Sequence, residues 1–414
     1  MLSLLETKES EEKVILVGVC LNEKDNIEES LDELKELVKT ADATVVGRLV
    51  QNREAFHSAT YIGKGKIEEL KELALETGAT GIVCDDELSP AQIRNLEEAL
   101  DLKIMDRTLV ILDIFSKRAL TKEGMIQVEL AQLKYRSSRL VGLRSSLSRL
   151  GGGIGSKGPG EKKLELDRRL IRNRIAQLSK ELEEVKMHRV VQRKQRSKNL
   201  IPVVCIVGYT NAGKSTLLNR LTQAGVLEED QLFATLDPTT RKLELESGQE
   251  IMLTDTVGFI RKLPHHLVDA FRSTLEEAKY SDLILHVVDM SNPQMDQQME
   301  AVYETLDRLD IRDKTIITVF NKQDKVEKLQ IIKDAKADRT VRISAKKEEG
   351  FEELLQTIEE ILQSRKQLIE KVYPYDQGST LQIIRKYGQI LEEEYLPEGT
   401  KIKAYIPKEW VNRV

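Results

Sequence analysis

Four short clusters in this chain carry residue types suited to nucleotide chemistry, and each follows an apolar run that reads as a strand. The first is Gly208-Tyr209-Thr210-Asn211-Ala212-Gly213-Lys214-Ser215, which fits G-x-x-x-x-G-K-[ST] directly after Val203–Val207 and just before a helical stretch. Its glycines let several backbone N–H groups turn inward on phosphate oxygens, and the N-terminus of the following helix favours the same negative charge. In that frame Lys214 bridges the β- and γ-phosphates, and the Ser215 hydroxyl holds Mg2+.

The second cluster, Asp255-Thr256-Val257-Gly258, follows the strand Ile251–Leu253 and starts 41 residues after Lys214. An aspartate at a strand end can hold Mg2+ through water, and Gly258 lets its N–H approach a γ-phosphate. The third, Asn321-Lys322-Gln323-Asp324, follows Ile316–Phe320 and decides the base. A carboxylate at Asp324 accepts from guanine N1–H and N2–H2, whereas adenine meets it with a lone pair and no amine; an unpaired buried acceptor costs about 1–3 kcal/mol or more. The fourth, Ser344-Ala345-Lys346, follows Val341–Ile343 and closes the pocket, with the Ala345 N–H suited to guanine O6. The expected ligands are therefore GTP and GDP with Mg2+.

Between the first two clusters runs Phe233-Ala234-Thr235-Leu236-Asp237-Pro238-Thr239-Thr240-Arg241. A loop threonine completes the Mg2+ shell in such sites and senses the γ-phosphate; Thr235, Thr239 and Thr240 all qualify chemically. After Gly258, where many small GTPases place a water-orienting glutamine, stands Phe259, which cannot hydrogen-bond a water. Slow intrinsic hydrolysis, accelerated by a macromolecular partner, is the expectation. No general base is assigned; Arg241, Arg261, His265 and His266 read as loop residues or partner contacts.

The elements that must position these clusters come in blocks. At 414 residues the chain is long enough for several domains, and 40% apolar residues suffice for folded cores. Residues 13–120 alternate strands (Val14–Cys20, Ala43–Leu49, Gly81–Cys84, Leu102–Met105) with helices (Glu28–Val38, Ile67–Leu75, Pro90–Leu100), the pattern of a small parallel α/β domain. Thr108–Ser116 is ambiguous between a helix and a further apolar segment. From Lys122 to Val185 strand signals vanish. Leucine-rich stripes at spacings of four and three (Ile126, Leu130, Leu133; Ile171, Ile175, Leu178, Leu182) predict a long helical coiled hairpin, broken at the glycine-rich segment 151–160. The α/β alternation returns from Ile201 to about Ser364. Residues 371–414 read as an α+β appendage with strands Lys371–Tyr375 and Lys401–Ile406 around a helix near Leu381–Ile390. The expected domains are 1–120, 121–198, a phosphate-loop G domain of mostly parallel sheet at 199–365, and 366–414.

Charge is segregated. The chain carries −5 overall, yet between Leu133 and Arg174 twelve basic residues, among them Lys134, Arg136, Arg139, Arg144, Arg149 and Lys157, face three acids. From Lys186 to Lys198 six more positives meet no acid. Segregation on this scale is the footprint of a phosphate-backbone partner, against the plainer reading of a solvated linker. Cys20, Cys84 and Cys205 are widely spaced, without metal or disulfide patterning, and fit a reducing compartment. The polar start excludes a secretory signal, and no apolar run reaches bilayer length, so a cytoplasmic protein is expected. Tyr61-Ile62-Gly63-Lys64-Gly65-Lys66 is either a phosphate-binding turn or a plain glycine turn before a helix. Asp85-Asp86-Glu87 hints at metal and reads better as an acidic helix cap.

With these motifs in view, the chain resembles the HflX family of translational GTPases over most of its length. The marks are Gly208–Ser215, Leu232–Thr240, Asp255–Arg261 and the loop Gly152–Glu161. The resemblance implies that Thr235 is the switch threonine on Mg2+. It implies that the N-terminal domain and helical hairpin act with the G domain on the large ribosomal subunit, near the peptidyl transferase centre, in splitting or rescue of stalled ribosomes; apart from the resemblance, a monomer is expected. It implies nothing for 371–414. Two other readings stand beside it: a regulatory GTP switch for a protein partner, which the basic segment disfavours, and an independent ATP-using N-terminal domain, which lacks a phosphate loop of its own.

Overall fold

The computed structural model describes residues 12–22, 26–142, 159–196, 201–222, 232–263, 267, 272–326 and 332–411. The tip 151–158 with Lys157, and Arg144, Arg149, Lys198, His265 and His266, lie outside the described residues. Two compact units interleave along the chain: residues 1–185 with 229–237 and 261–272, and residues 186–228 with 238–260 and 273–414. No described helix is long and apolar enough to cross a membrane.

The first unit is built on four parallel strands, β1 (Lys13–Cys20), β2 (Thr44–Asn52), β3 (Gly81–Cys84) and β4 (Lys103–Asp106), in the order β2-β1-β3-β4. Helices cover both faces, so β1 and β3 are almost wholly buried and read as continuous apolar runs without alternation. The chain runs from β1 to one side and later returns to the other, which makes the carboxyl ends of β1 and β3 the switch point of the sheet. The ambiguous segment is a helix, Arg107–Arg118, started by the Asp106 side chain accepting from the Leu109 N–H at 2.9 Å. Its Val110, Ile111, Leu112, Ile114 and Phe115 are all buried, which is why its helical stripe was illegible. The helix Lys122–Gly142 and part of the helix Pro159–Arg196 pack through Ile126, Leu130, Leu178 and Leu182, and Arg174 clasps Glu129 with two hydrogen bonds at 2.7 and 3.0 Å.

The second unit centres on six strands in the order β10-β9-β8-β5-β7-β6, with β5 (Val203–Gly208), β6 (Thr239–Glu244), β7 (Glu250–Asp255), β8 (Leu283–Asp289), β9 (Thr315–Asn321) and β10 (Arg339–Arg342). All pairings are parallel except β6 on β7. The core is aliphatic, from Val204, Ile206, Leu217, Leu253, Leu285, Ile317 and Val319 to Leu354 and Ile358 of the helix Phe351–Ser364. Here the order switches sides between β5 and β8, so the loop after β5 opens at the carboxyl edge where α/β sheets take ligands.

The C-terminal segment corrects the sequence reading. It holds three antiparallel strands, not two: β11 (Lys366–Tyr373), β12 (Gln389–Leu396) and β13 (Gly399–Pro407), ordered β11-β13-β12, with the helix Gly378–Tyr387 on one face. The missed strand β12 contains Glu392-Glu393-Glu394, poor strand formers by propensity. They lie opposite Lys403, Ile402 and Lys401, so cross-strand charge pairing supports the strand.

Candidate nucleotide site

The phosphate loop is shaped by glycines with no room for a side chain. Gly208 has φ +153°, and a Cβ there would come within 2.2 Å of the Val287 carbonyl oxygen on β8. Gly213 has φ +95°, and its Cβ would meet Asn321 Nδ2 at 2.2 Å. The loop is therefore packed against the β8 backbone at Gly208 and against the Asn321 side chain, at the end of β9, at Gly213, with no room for a Cβ at either glycine. Asn321 ties it further: its Nδ2 donates to the Ala212 carbonyl at 2.8 Å while its Oδ1 accepts from the Ala345 N–H at 2.9 Å. Asn321 thus connects the first, third and fourth clusters of the sequence.

Lys214 opens the helix Lys214–Thr222 and is buried, with Nζ donating to the Tyr209 carbonyl at 2.8 Å. Burial lowers its pKa to about 8 against the attraction of Asp255, so the ammonium is held in a place that rewards an incoming anion. The Thr210 hydroxyl is buried in the same loop with no hydrogen-bond partner among the described residues. Ser215 Oγ donates to Asp255 Oδ2 at 2.8 Å. A hydroxyl and a carboxylate side by side are hard oxygen donors of the kind Mg2+ takes together with water and phosphate, so the residues present fit the ion.

After Asp255 the chain folds onto the phosphate loop. The Phe259 N–H donates to the Gly208 carbonyl at 3.1 Å, and the Phe259 carbonyl accepts from the Thr210 N–H at 2.8 Å. Phe259 is buried, and a Cβ on Gly258 would stand 2.7 Å from Thr210 Cγ2 and 3.0 Å from Lys214 Nζ.

At the base end, Ser344 Oγ donates to Asp324 Oδ1 at 2.6 Å, and this bond, ahead of a smaller opposing effect of burial, holds the carboxyl below its ordinary range. Asp324 stays ionised and aimed. Lys322 has φ +64° and donates to the Asn211 carbonyl at 2.8 Å and to Asp289 at 2.7 Å. Asp289, at the end of β8, is a positioning residue that sequence reasoning missed; a lone aspartate closing an apolar strand was the signal available.

Three family models tile the chain: GTP-binding GTPase N-terminal over residues 28–116, GTP-binding GTPase middle region over 118–196, and 50S ribosome-binding GTPase over 203–322. Over 409 residues the chain is 65% identical to the GTPase HflX of Lacrimispora saccharolytica, spanning 99% of this chain and 97% of the relative. The chain belongs to the HflX GTPase family. It is also 52% identical to the GTPase HflX of Caldanaerobacter subterraneus subsp. tengcongensis, over 99% and 94% of the two chains. To that of Escherichia coli it is 43% identical, over 85% and 83%.

Within this HflX-family chain, the segment expected to face nucleotide before Asp255 is divided. Phe233 and Leu236 are each 2% exposed, and Phe233 sets its ring edge-on to Phe115 at 4.7 Å. Asp237 accepts from the backbone N–H groups of Leu120 and Thr121 at 2.9 and 2.8 Å. Thr235 sits between these anchors, half-buried. Asp85 is neither metal ligand nor helix cap: it pairs with Arg107 at 2.8 Å and with Lys262, while Ser89 and Gln92 cap the helix Pro90–Leu100 reciprocally. Arg139 is withdrawn from the basic surface by Asp106 at 2.6 Å, whereas Lys134, Arg136, Arg169 and Arg172 are exposed.

His286 on β8 was also passed over. It is 1% exposed, has no hydrogen-bond partner for either ring nitrogen among the described residues, and lies edge-on to Tyr303. Burial lowers its pKa to about 4, against the pull of Asp334. Unfolded histidine titrates near 6.5, so between pH 6.5 and 4 the unfolded state binds the extra proton, and stability is lost as pH falls through that window. The cost reaches about 3 kcal/mol at the acid end and about 2 kcal/mol at pH 5. Hydrogen-exchange protection of the Leu283–Asp289 amides should therefore fall between pH 7.5 and 5 by that much more in the native chain than in His286→Phe. Parallel pH profiles would contradict this assignment.

Proposed function

We propose that this chain is a Mg2+-dependent GTP hydrolase that binds the large ribosomal subunit in its GTP form and leaves it after hydrolysis, acting in splitting, rescue or recycling of ribosomes. The partner rests on one observation: residues 203–322 match the 50S ribosome-binding GTPase model. The exposed basic residues Lys134, Arg136, Arg169 and Arg172 on the helical segment support an rRNA contact, near the peptidyl transferase centre by resemblance. On this reading 1–120 and 121–198 are the N-terminal and helical domains, 199–365 the G domain and 366–414 an appendage, and the chain works in the cytoplasm as a monomer.

The N–H groups of residues 208–215 and the Lys214 ammonium hold the phosphates. Asp324 takes the guanine N1–H and N2–H2, while Ser344 bonds Asp324 and Asn321 joins Ala345 to the phosphate loop, fixing the pocket around the base, flanked by Lys322, Gln323 and Lys346. Ser215 and Thr235 would hold Mg2+, with Asp255 behind them, and the ion when bound offsets negative charge on the β- and γ-phosphates. Phe259 carries no group that can orient water, so the isolated chain turns over slowly and a partner completes the site.

Co-sedimentation with purified large subunits tests the partner. With a non-hydrolysable GTP analogue the protein should pellet with the subunit, about tenfold more tightly than with GDP. Raising salt from about 0.05 to about 0.3 M should weaken the complex steeply, because basic side chains release counterions on binding rRNA. Equal pelleting with both nucleotides, or none with either, would move the partner elsewhere.

A further inference from the structure

Asp85 follows β3 directly, at the switch point of the N-terminal sheet, and is fully buried. It accepts from Ser30 Oγ at 2.7 Å and pairs with Arg107, itself 1% exposed and also paired with Glu33. Asp86 beside it accepts from the buried Tyr61 hydroxyl at 2.6 Å. Burial would push the Asp85 carboxyl up, yet Arg107 and Lys262 together hold it below the ordinary carboxylate range. The second of those cations comes from far along the chain. Lys262, at φ +54°, reaches Asp86 Oδ1 at 2.8 Å and also pairs with Asp85.

Lys262 stands four residues after Gly258. The same unit fixes the other loop of interest: Asp237 accepts from the Leu120 and Thr121 N–H groups, two residues after Thr235, and Gly124 permits the approach, since a Cβ there would lie 2.5 Å from Asp237 Oδ1. Thus each segment that a γ-phosphate would have to order is tied to the N-terminal unit within four residues of its nucleotide-facing group. In this arrangement Phe259 is hydrogen-bonded through its backbone to Gly208 and Thr210, and a Cβ on Gly258 would stand 3.0 Å from Lys214 Nζ. For Lys214 and the Gly258 N–H to share a γ-phosphoryl group both must turn toward it, and any shift of that stretch draws on Lys262.

We propose that Lys262, seated on Asp85 and Asp86, is a positioning residue that holds the segment after Gly258 against the N-terminal unit, so that this unit sets the preference between GTP and GDP. Asp237 does the same for the Thr235 loop. GDP, which lacks the γ-phosphoryl group, binds without disturbing either anchor; GTP binds against them. The inference deepens the GTPase reading and rests on it.

Equilibrium dissociation constants of fluorescent GTP-analogue and GDP derivatives, measured on the full chain, test it. Lys262→Ala and Asp86→Asn should each raise the affinity for the GTP analogue relative to GDP by about fivefold. The double variant should gain little beyond either single one, and Lys262→Arg should keep the native ratio. Asp237→Asn should shift the ratio in the same direction. Because both nucleotides are measured on one preparation, partial misfolding cancels from the ratio, which a merely structural role would leave unmoved. An unchanged or lowered ratio in both Lys262→Ala and Asp86→Asn would overturn the proposal. Failure of the native chain to bind either nucleotide would instead overturn the GTPase reading beneath it.

Discussion

Replacing Asp324 by asparagine is expected to cost the chain about 10^3-fold in GTP affinity and to transfer its preference to xanthosine triphosphate. Guanine offers two donors to the Asp324 carboxylate, N1–H and N2–H2, and hydrogen bonds to a charged acceptor are worth roughly 1.5–3 kcal/mol each. In the variant the Ser344 hydroxyl, which donates to Asp324 Oδ1 at 2.6 Å, retains an oxygen acceptor in the side-chain carbonyl. The new amide NH2 then points at the base. It opposes the guanine N2–H2 donor to donor, but it matches the carbonyl that xanthine carries at position 2. Competition of GTP, xanthosine triphosphate and ATP against a fluorescent guanine nucleotide measures this. A variant that keeps native GTP affinity would remove Asp324 from the base site.

The placement of the nucleotide-site clusters at strand ends was legible because its signals are local. A phosphate loop, a following D-x-x-G and two base motifs each sit at the end of an apolar strand, and a strand end is where a parallel sheet presents ligand-binding groups. The strands Gly81–Cys84 and Val203–Gly208 could be read from unbroken apolar runs for the same reason: burial on both faces removes alternation. What could not be read depends on partners distant in sequence. Arg107 is charged and stands at the start of a helix, so nothing local announces that it is 1% exposed between Asp85 and Glu33. Asp85 reads as a cap because Ser89-Pro90 follows, yet its partners lie 22, 55 and 177 residues away. Strand β12 was lost because its glutamates argue against a strand until Lys401 and Lys403 are brought opposite. Phe233, Leu236 and Asp237 lie within a motif that reads as nucleotide-facing, while their contacts belong to a packing surface and a helix start.

Phe259 makes the largest kinetic demand. It is 1% exposed, with its backbone engaged by the phosphate loop, and it brings no polar group to the place where a water must be held for attack on the γ-phosphate. Supplying a missing transition-state group in trans is worth about 10^3–10^5 in rate in related phosphoryl-transfer systems. A ribosomal partner that completes this site should therefore act on kcat far beyond the roughly tenfold shift toward GTP that its tighter grip on the GTP form requires. Its effect should fade with salt wherever the exposed basic side chains of the helical segment carry the encounter.

Steady-state GTP hydrolysis by the purified protein, with and without purified large ribosomal subunits at two salt concentrations, tests directly whether the subunit completes the catalytic site. Slow turnover alone and stimulation of about 10^3-fold or more by the subunit, lost at high salt, are expected. Rapid turnover by the isolated protein, or a rate that large subunits leave unchanged at low salt, would contradict that role.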